Sequence, residues 1–170
     1  MSIPNLSLHL EVDKDILHEG DAATLSCVVK NTGVRAMYFL PWGGETGNWL
    51  DVYSINGERV EKHGAFAELI RGVPLKSDFS LIKPGEAYRR SFVGKIYHGK
   101  LGLTSRNPTY DGWYIQFDEA TFLLPSPGDY SFKAHYGFFP KWQEVALKLF
   151  GQSAWCDNLE SNEVIFRILA

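Results

Sequence analysis

Five histidines, two cysteines and a scatter of carboxylates are the side chains of this 170-residue chain that could hold a metal or move a proton. A metal site draws its ligands from short, fixed spacings. His9, His18, His63, His98 and His135 lie on separate segments and never fall at such a spacing. Asp13-Lys14-Asp15 opens like a calcium loop but lacks that motif's glycine and distal carboxylate, so it reads as a solvated turn. No Gly-x-Ser-x-Gly nucleophile elbow occurs. Cys27 sits in an apolar alternating run, where a thiol behaves as a small inert core residue. Two cysteines make neither a disulfide framework nor a zinc site, and Cys27 and Cys156 are expected to be unbridged. These residues predict no enzyme activity, no metal and no cofactor. A triad is defined by geometry rather than residue type, so a hydrolase with a non-standard site stays as an alternative.

The aromatics carry more signal than the titratable groups. Trp42 and Trp49 bracket a glycine-rich loop, Tyr110, Trp113 and Tyr114 surround Asp111-Gly112, and Phe138 and Phe139 precede a helical segment. Exposed indoles and phenols suit protein hot spots, and the same rings can stack on sugars. Trp42, Trp49, Tyr110 and Trp113 are therefore the candidate binding residues. The competing reading makes these rings plugs at the ends of the core.

What must position them is a set of strands. Leu6, Leu8, Leu10 and Val12 alternate with Ser7, His9 and Glu11, the period-2 pattern of a half-buried strand. Ala23, Leu25, Cys27 and Val29 repeat it after the turn Glu19-Gly20-Asp21, and Asn31-Thr32-Gly33 turns the chain again. Met37 to Leu40 is a continuous apolar run, which predicts a central strand buried on both faces. Leu50 to Ile55 and Glu58 to Glu61 flank Asn56-Gly57, a strong hairpin signal. A strand through Tyr88, Phe92 and Val93 follows the turn Pro84-Gly85. The stretch from Gly94 to Pro125, with Gly94, Gly99, Gly102 and Gly112, predicts long loops with some strand. Tyr130, Phe132, Ala134 and Tyr136 share one face of a later strand. Trp142, Val145, Ala146 and Leu149 fall at helical spacing within 141–150, with Gly151 as the stop. Val164 to Leu169 is the last strand.

Strands punctuated by turns, with one short helix at about 141–150 before the last strand, predict an all-β, immunoglobulin-like antiparallel sandwich formed by 1–170 as one domain. Gly128-x-Tyr130-x-Phe132 has the form of a tyrosine corner. Phe132 stands where an antibody domain has its second bridging cysteine, and Cys27 sits on an early strand where the first would be.

Composition narrows the partners. Hydrophobic residues make up 45% of the chain and the net charge is -3, so there is enough apolar surface for one core and no basic stripe for nucleic acid. Anionic membrane surfaces are disfavoured on the same ground. The start, Met1-Ser2-Ile3-Pro4-Asn5, has no basic region or apolar core of a secretory signal, and the apolar runs are shorter than a membrane span. A cytoplasmic, reduced protein is the default reading; a secreted, processed form is the alternative. Oligomeric state is not legible.

Several segments together carry a resemblance. Val28-Val29-Lys30-Asn31-Thr32-Gly33 precedes an apolar strand. Gly64-Ala65-Phe66-Ala67-Glu68-Leu69-Ile70-Arg71-Gly72-Val73-Pro74 precedes Asp78-Phe79 and Ile82-Lys83-Pro84-Gly85-Glu86. Pro127-Gly128-Asp129-Tyr130 and Ser161-Asn162-Glu163-Val164 follow. These resemble the non-catalytic β-sandwich region that precedes the protease domain in deuterolysin-like and peptidyl-Lys metalloendopeptidases, and stand-alone bacterial relatives. A looser similarity is to the intracellular proteinase inhibitor of bacilli. The chain has no His-Glu-x-x-His motif, so no catalytic residue carries over. The resemblance implies an immunoglobulin-like module that binds a protein, a protease among the candidates. A carbohydrate-binding module is the alternative raised by the aromatics.

Overall fold

The computed structural model describes residues 5–41, 49–64, 72–103, 109–137 and 140–170. Its strands form two main sheets, antiparallel except where the short strand Ile16–Leu17 joins the last strand in parallel. The first runs in the order β1 (Leu6–Val12), β3 (Ala22–Asn31), β8 (Ala87–Leu101), β9 (Tyr110–Gln116), β10 (Ala120–Leu124) and β6 (Lys62–Gly64). The second runs β2 (Ile16–Leu17), β12 (Leu159–Ile168), β11 (Gly128–Tyr136) and β5 (Trp49–Ser54). The sandwich expected from the alternating strands is thus the observed architecture. Its early strands β1 and β3 share one sheet while β5, β11 and β12 share the other, the division of an immunoglobulin core. The meander β8–β9–β10 is a departure from that plan: three consecutive strands extend the first sheet beside β3.

The core lies between the sheets because each strand turns its alternate apolar residues inward. Leu8, Leu10, Leu25, Cys27, Val29 and Phe92 come from one side. Leu50, Val52, Phe132, Ala134, Phe166 and Ile168 come from the other. Phe132 is fully buried and stacks on Phe166 of the neighbouring strand at 4.1 Å. Cys27 and Cys156 are both free, as expected. Burial pushes the Cys27 thiol up to about 12, so it stays protonated and inert.

The tyrosine corner is present. The Tyr130 hydroxyl donates to the Ser126 carbonyl at 2.6 Å, and Tyr130 is 4% exposed. Tyr130→Phe should therefore lower stability by about 1–3 kcal/mol, because it removes a part-buried hydrogen bond made by a buried side chain. Denaturant melts of both proteins check this; equal midpoints and slopes would remove the hydroxyl from the account of stability.

Carboxamides seal edges that no strand covers. Opposite Ala134 the last strand bulges: Lys133 pairs with Glu163 and His135 with Glu160, so two residues, Ser161 and Asn162, face one. The Ser161 hydroxyl accepts from Ala134 N–H, and Asn162 turns toward the free edge of β1. There the Asn162 side chain accepts from Leu10 N–H at 2.9 Å and donates to Leu10 C=O at 3.1 Å, replacing one rung of a ladder across the sandwich seam. Gln143 does the same for Ala154, accepting from its N–H at 3.2 Å and donating to its C=O at 2.9 Å.

Several expectations need correction. The run at Met37 is not a central strand. Among the described residues β4 (Met37–Phe39) pairs as a strand with β7 (Ser80–Ile82) alone, in a separate two-stranded sheet flanked by a bridge from Tyr38 to Ala154. Its apolar character is spent on the helix α1 (Trp142–Phe150), whose Phe150 stacks on Tyr38 at 3.8 Å. The helix itself matches the spacing, but Phe150 packs inward while Leu149 is 37% exposed. The region from Gly94 onward is mostly strand, since β8 continues to Leu101 and pairs with β9 from Lys95 to Leu101. The hairpin at Asn56-Gly57 is real but wider than a two-residue turn. Gly57 N–H bonds Ser54 C=O, Ser54 N–H bonds Glu58 C=O, and Gly57 alone takes a positive φ of 80°. That is a three-residue loop with a glycine bulge. Beyond it the chain crosses to the first sheet through β6.

Candidate binding face

The residues singled out as binding groups are not gathered on one surface. Trp49 is 1% exposed, sandwiched near Phe92 and Tyr136, with the Arg90 guanidinium 5.7 Å from its ring. It belongs to the core, and the reading of Trp49 as an exposed contact residue is corrected accordingly. A φ of +83° at Trp49 turns its ring inward, off the alternation of the rest of β5. Trp42, like Phe138 and Phe139, lies outside the described residues. Tyr110 is half-buried; its single hydroxyl proton is shared between the carbonyls of Trp113 and Leu124, at 2.9 and 2.8 Å. Trp113 is also half-buried and stacks on His98 at 4.7 Å. Both serve the β8–β9 hairpin: the Tyr110 ring lies directly over Gly112, where any Cβ would collide with it.

A different surface brings polar and apolar groups together. Because Phe132 and Ala134 point inward, Ser131, Lys133 and His135 must point out of the second sheet. Register places Tyr53 and Ile165 beside Ser131, and Asp51 and Glu163 beside Lys133. Glu160 stands beside His135. The result is a shallow depression of about 230 Å³, floored by Tyr53, Ser131, Lys133 and Glu163 and flanked by Ile55 and Ile165. The two isoleucines are 67% and 60% exposed.

At one end of this face lies a charge cluster. Asp51 is 4% exposed, and one of its oxygens accepts from Arg59 at 2.6 and 3.1 Å and from Lys62 at 3.0 Å. These donors come from the segment crossing between sheets, which explains how a carboxylate is tolerated there: burying it unpaired would be prohibitive. The other Asp51 oxygen lies 3.5 Å from His135 Nε2. The same nitrogen is 3.3 Å from the Tyr53 hydroxyl, and His135 Nδ1 is 3.7 Å from Glu160. Burial holds the His135 imidazole below the usual histidine range, against the pull of both carboxylates. Burial likewise raises the Tyr53 phenol, helped by the Asp51 charge. Lys133 pairs with Glu160 at 3.1 Å, so most charges of the face are matched.

The other histidines have local roles. His18 and Lys14 both approach Asp21, whose carboxyl is held at about 2, chiefly by the His18 N–H and then by Lys14. Asp13 accepts from Thr24 N–H at 2.7 Å, so the acidic turn pins strands. No cluster of three metal-ligating side chains occurs among the described residues. Among those residues no helix is long and apolar enough to cross a membrane.

The sequence reading missed Tyr53, Lys133, Glu163 and Ile165 as a group. The signal was available in β11, because placing Tyr130, Phe132, Ala134 and Tyr136 inside puts Ser131, Lys133 and His135 outside. What sequence could not supply is register, which selects the β5 and β12 residues that stand beside them. No protein-family model matches the chain, and no curated protein shows significant similarity to it.

Proposed function

We propose that this chain is a non-enzymatic module that binds another protein through the outer face of its second sheet. The observation that carries the reading is the pairing of two well-exposed isoleucines, Ile55 and Ile165, with a floor of Tyr53, Ser131, Lys133 and Glu163. Apolar anchors and a tyrosine ringed by charges have the composition of a protein interface. At about 230 Å³ the depression is smaller than the pockets that enclose small ligands. The half-buried aromatics Tyr110 and Trp113 are engaged within their own hairpin, which weakens the sugar-stacking alternative. The resemblance to protease-associated sandwiches makes endopeptidases the first partners to test.

The test is a panel of metallo- and serine endopeptidases measured by surface plasmon resonance, alongside a glycan array. A protein partner is expected, and Tyr53→Ala with Ile165→Asp should weaken it by about 2–4 kcal/mol, since central anchors dominate an interface. The single Ile165→Asp replacement should leave the melting curve within about 0.5 kcal/mol, because its side chain is already in water. Binding that survives the double replacement would exclude this face, and retention by glycans alone would favour the carbohydrate reading.

A further inference from the structure

The charge cluster beside the depression has an asymmetry that the docking reading does not use. His135 Nε2 faces two groups at nearly equal distance: the Tyr53 hydroxyl at 3.3 Å and an Asp51 carboxylate oxygen at 3.5 Å. One ring nitrogen cannot accept from the first and donate to the second at once. Its other nitrogen, Nδ1, faces Glu160 at 3.7 Å. The groups around the ring come from every neighbouring element: Asp51 and Tyr53 from β5, Lys133 from its own strand, Glu160 from β12, and Arg59 and Lys62 through Asp51.

We propose that His135 is a proton-operated switch that sets whether Tyr53 offers its hydroxyl proton to a partner in the depression. In the neutral ring, Nδ1–H points at Glu160 and Nε2 accepts the Tyr53 O–H. On protonation Nε2 also carries hydrogen, which it directs at Asp51, and it can no longer accept. The Tyr53 hydroxyl must then turn its proton away from the ring, toward the depression that Tyr53 lines. A partner presenting a carbonyl or carboxylate at that point would gain a donor at low pH. Partial burial favours the neutral ring near pH 7, so the switch operates on the acid side. The sign for stability follows. The unfolded imidazole takes up its proton at a higher pH than the folded one, so stability falls as pH drops through the interval between the two midpoints.

The consequence for binding rests on the docking reading, but the switch can be read with protons alone. The experiment is an NMR titration of the ¹⁵N- and ¹³C-labelled full chain from pH 8 to pH 4.5, following His135 ring nitrogens and the Tyr53 ring. At pH 8 the nitrogen shifts should show the Nδ1–H tautomer. The Tyr53 ring signals should move with the same midpoint as His135. Tyr53→Phe should raise the His135 midpoint by about half a pH unit to one unit, because a hydrogen bond that favours the neutral ring is gone. An Nε2–H tautomer at pH 8, Tyr53 signals that stay still through the His135 midpoint, or a midpoint unmoved by Tyr53→Phe would each overturn the switch. None of these outcomes depends on a partner, so failure of the docking reading is registered separately by the binding panel.

Discussion

Trp49→Ala is expected to cost about 3–5 kcal/mol of folding free energy, the range for deleting a large ring from a packed core. The ring is 1% exposed and contacts come from both sheets: Phe92 on β8, Tyr136 on β11 and the Arg90 guanidinium over its face. Backbone conformation adds a second, more specific expectation. Alanine in an ordinary strand is better than glycine by roughly 0.5–1 kcal/mol. At Trp49 the φ of +83° reverses that preference, so Trp49→Gly should be no less stable than Trp49→Ala. Urea melts of the three proteins measure both quantities. A loss below about 1 kcal/mol would return the ring to the surface, and an ordinary alanine-over-glycine order would deny the left-handed backbone.

The fate of Trp49 shows where sequence reasoning reached its limit. Glycines before it suggested an open loop, yet one residue with positive φ suffices to carry its side chain to the inner face. The same misreading affected the β8–β9 hairpin. Its glycines look like loop punctuation, but Gly94 lies beneath the Phe117 ring and Gly112 beneath Tyr110. Each leaves out the side chain whose place an aromatic from a neighbouring position takes. Glycine paired with an aromatic two positions away or on the adjacent strand is ambiguous in a sequence, because turn and close approach use the same residue. Where no such ambiguity existed, the reading held. The alternation of β1 and β3, the helix face of Trp142 and Ala146, and the corner at Tyr130 are local patterns whose physics is complete within a few residues. The candidate face is different in kind. Lys133 and His135 could be placed outside from their own strand, but Tyr53, Glu160, Glu163 and Ile165 join them only through register and the bulge at Ser161 and Asn162.

Asp51→Ala should be nearly as damaging as loss of the indole, about 3–5 kcal/mol, for an electrostatic reason. The carboxylate is buried with three hydrogen bonds from two cations, but those cations differ. The Arg59 side chain is 57% exposed and can return to water, whereas that of Lys62 is 11% exposed and would be stranded with its charge. Arg59→Ala alone should therefore cost about 1 kcal/mol or less, as exposed partners do. Most of the Asp51→Ala penalty should belong to the abandoned ammonium of Lys62. The double replacement Asp51→Leu with Lys62→Met removes both charges while keeping apolar volume, and it should recover most of the loss, since an apolar pair can replace a buried ion pair at little cost. Denaturant midpoints of the single and double variants decide between the two sources of the penalty. A double variant as unstable as Asp51→Ala would mean that Asp51 matters through packing or through its approach to His135, and that the Lys62 charge is not the group it exists to neutralise.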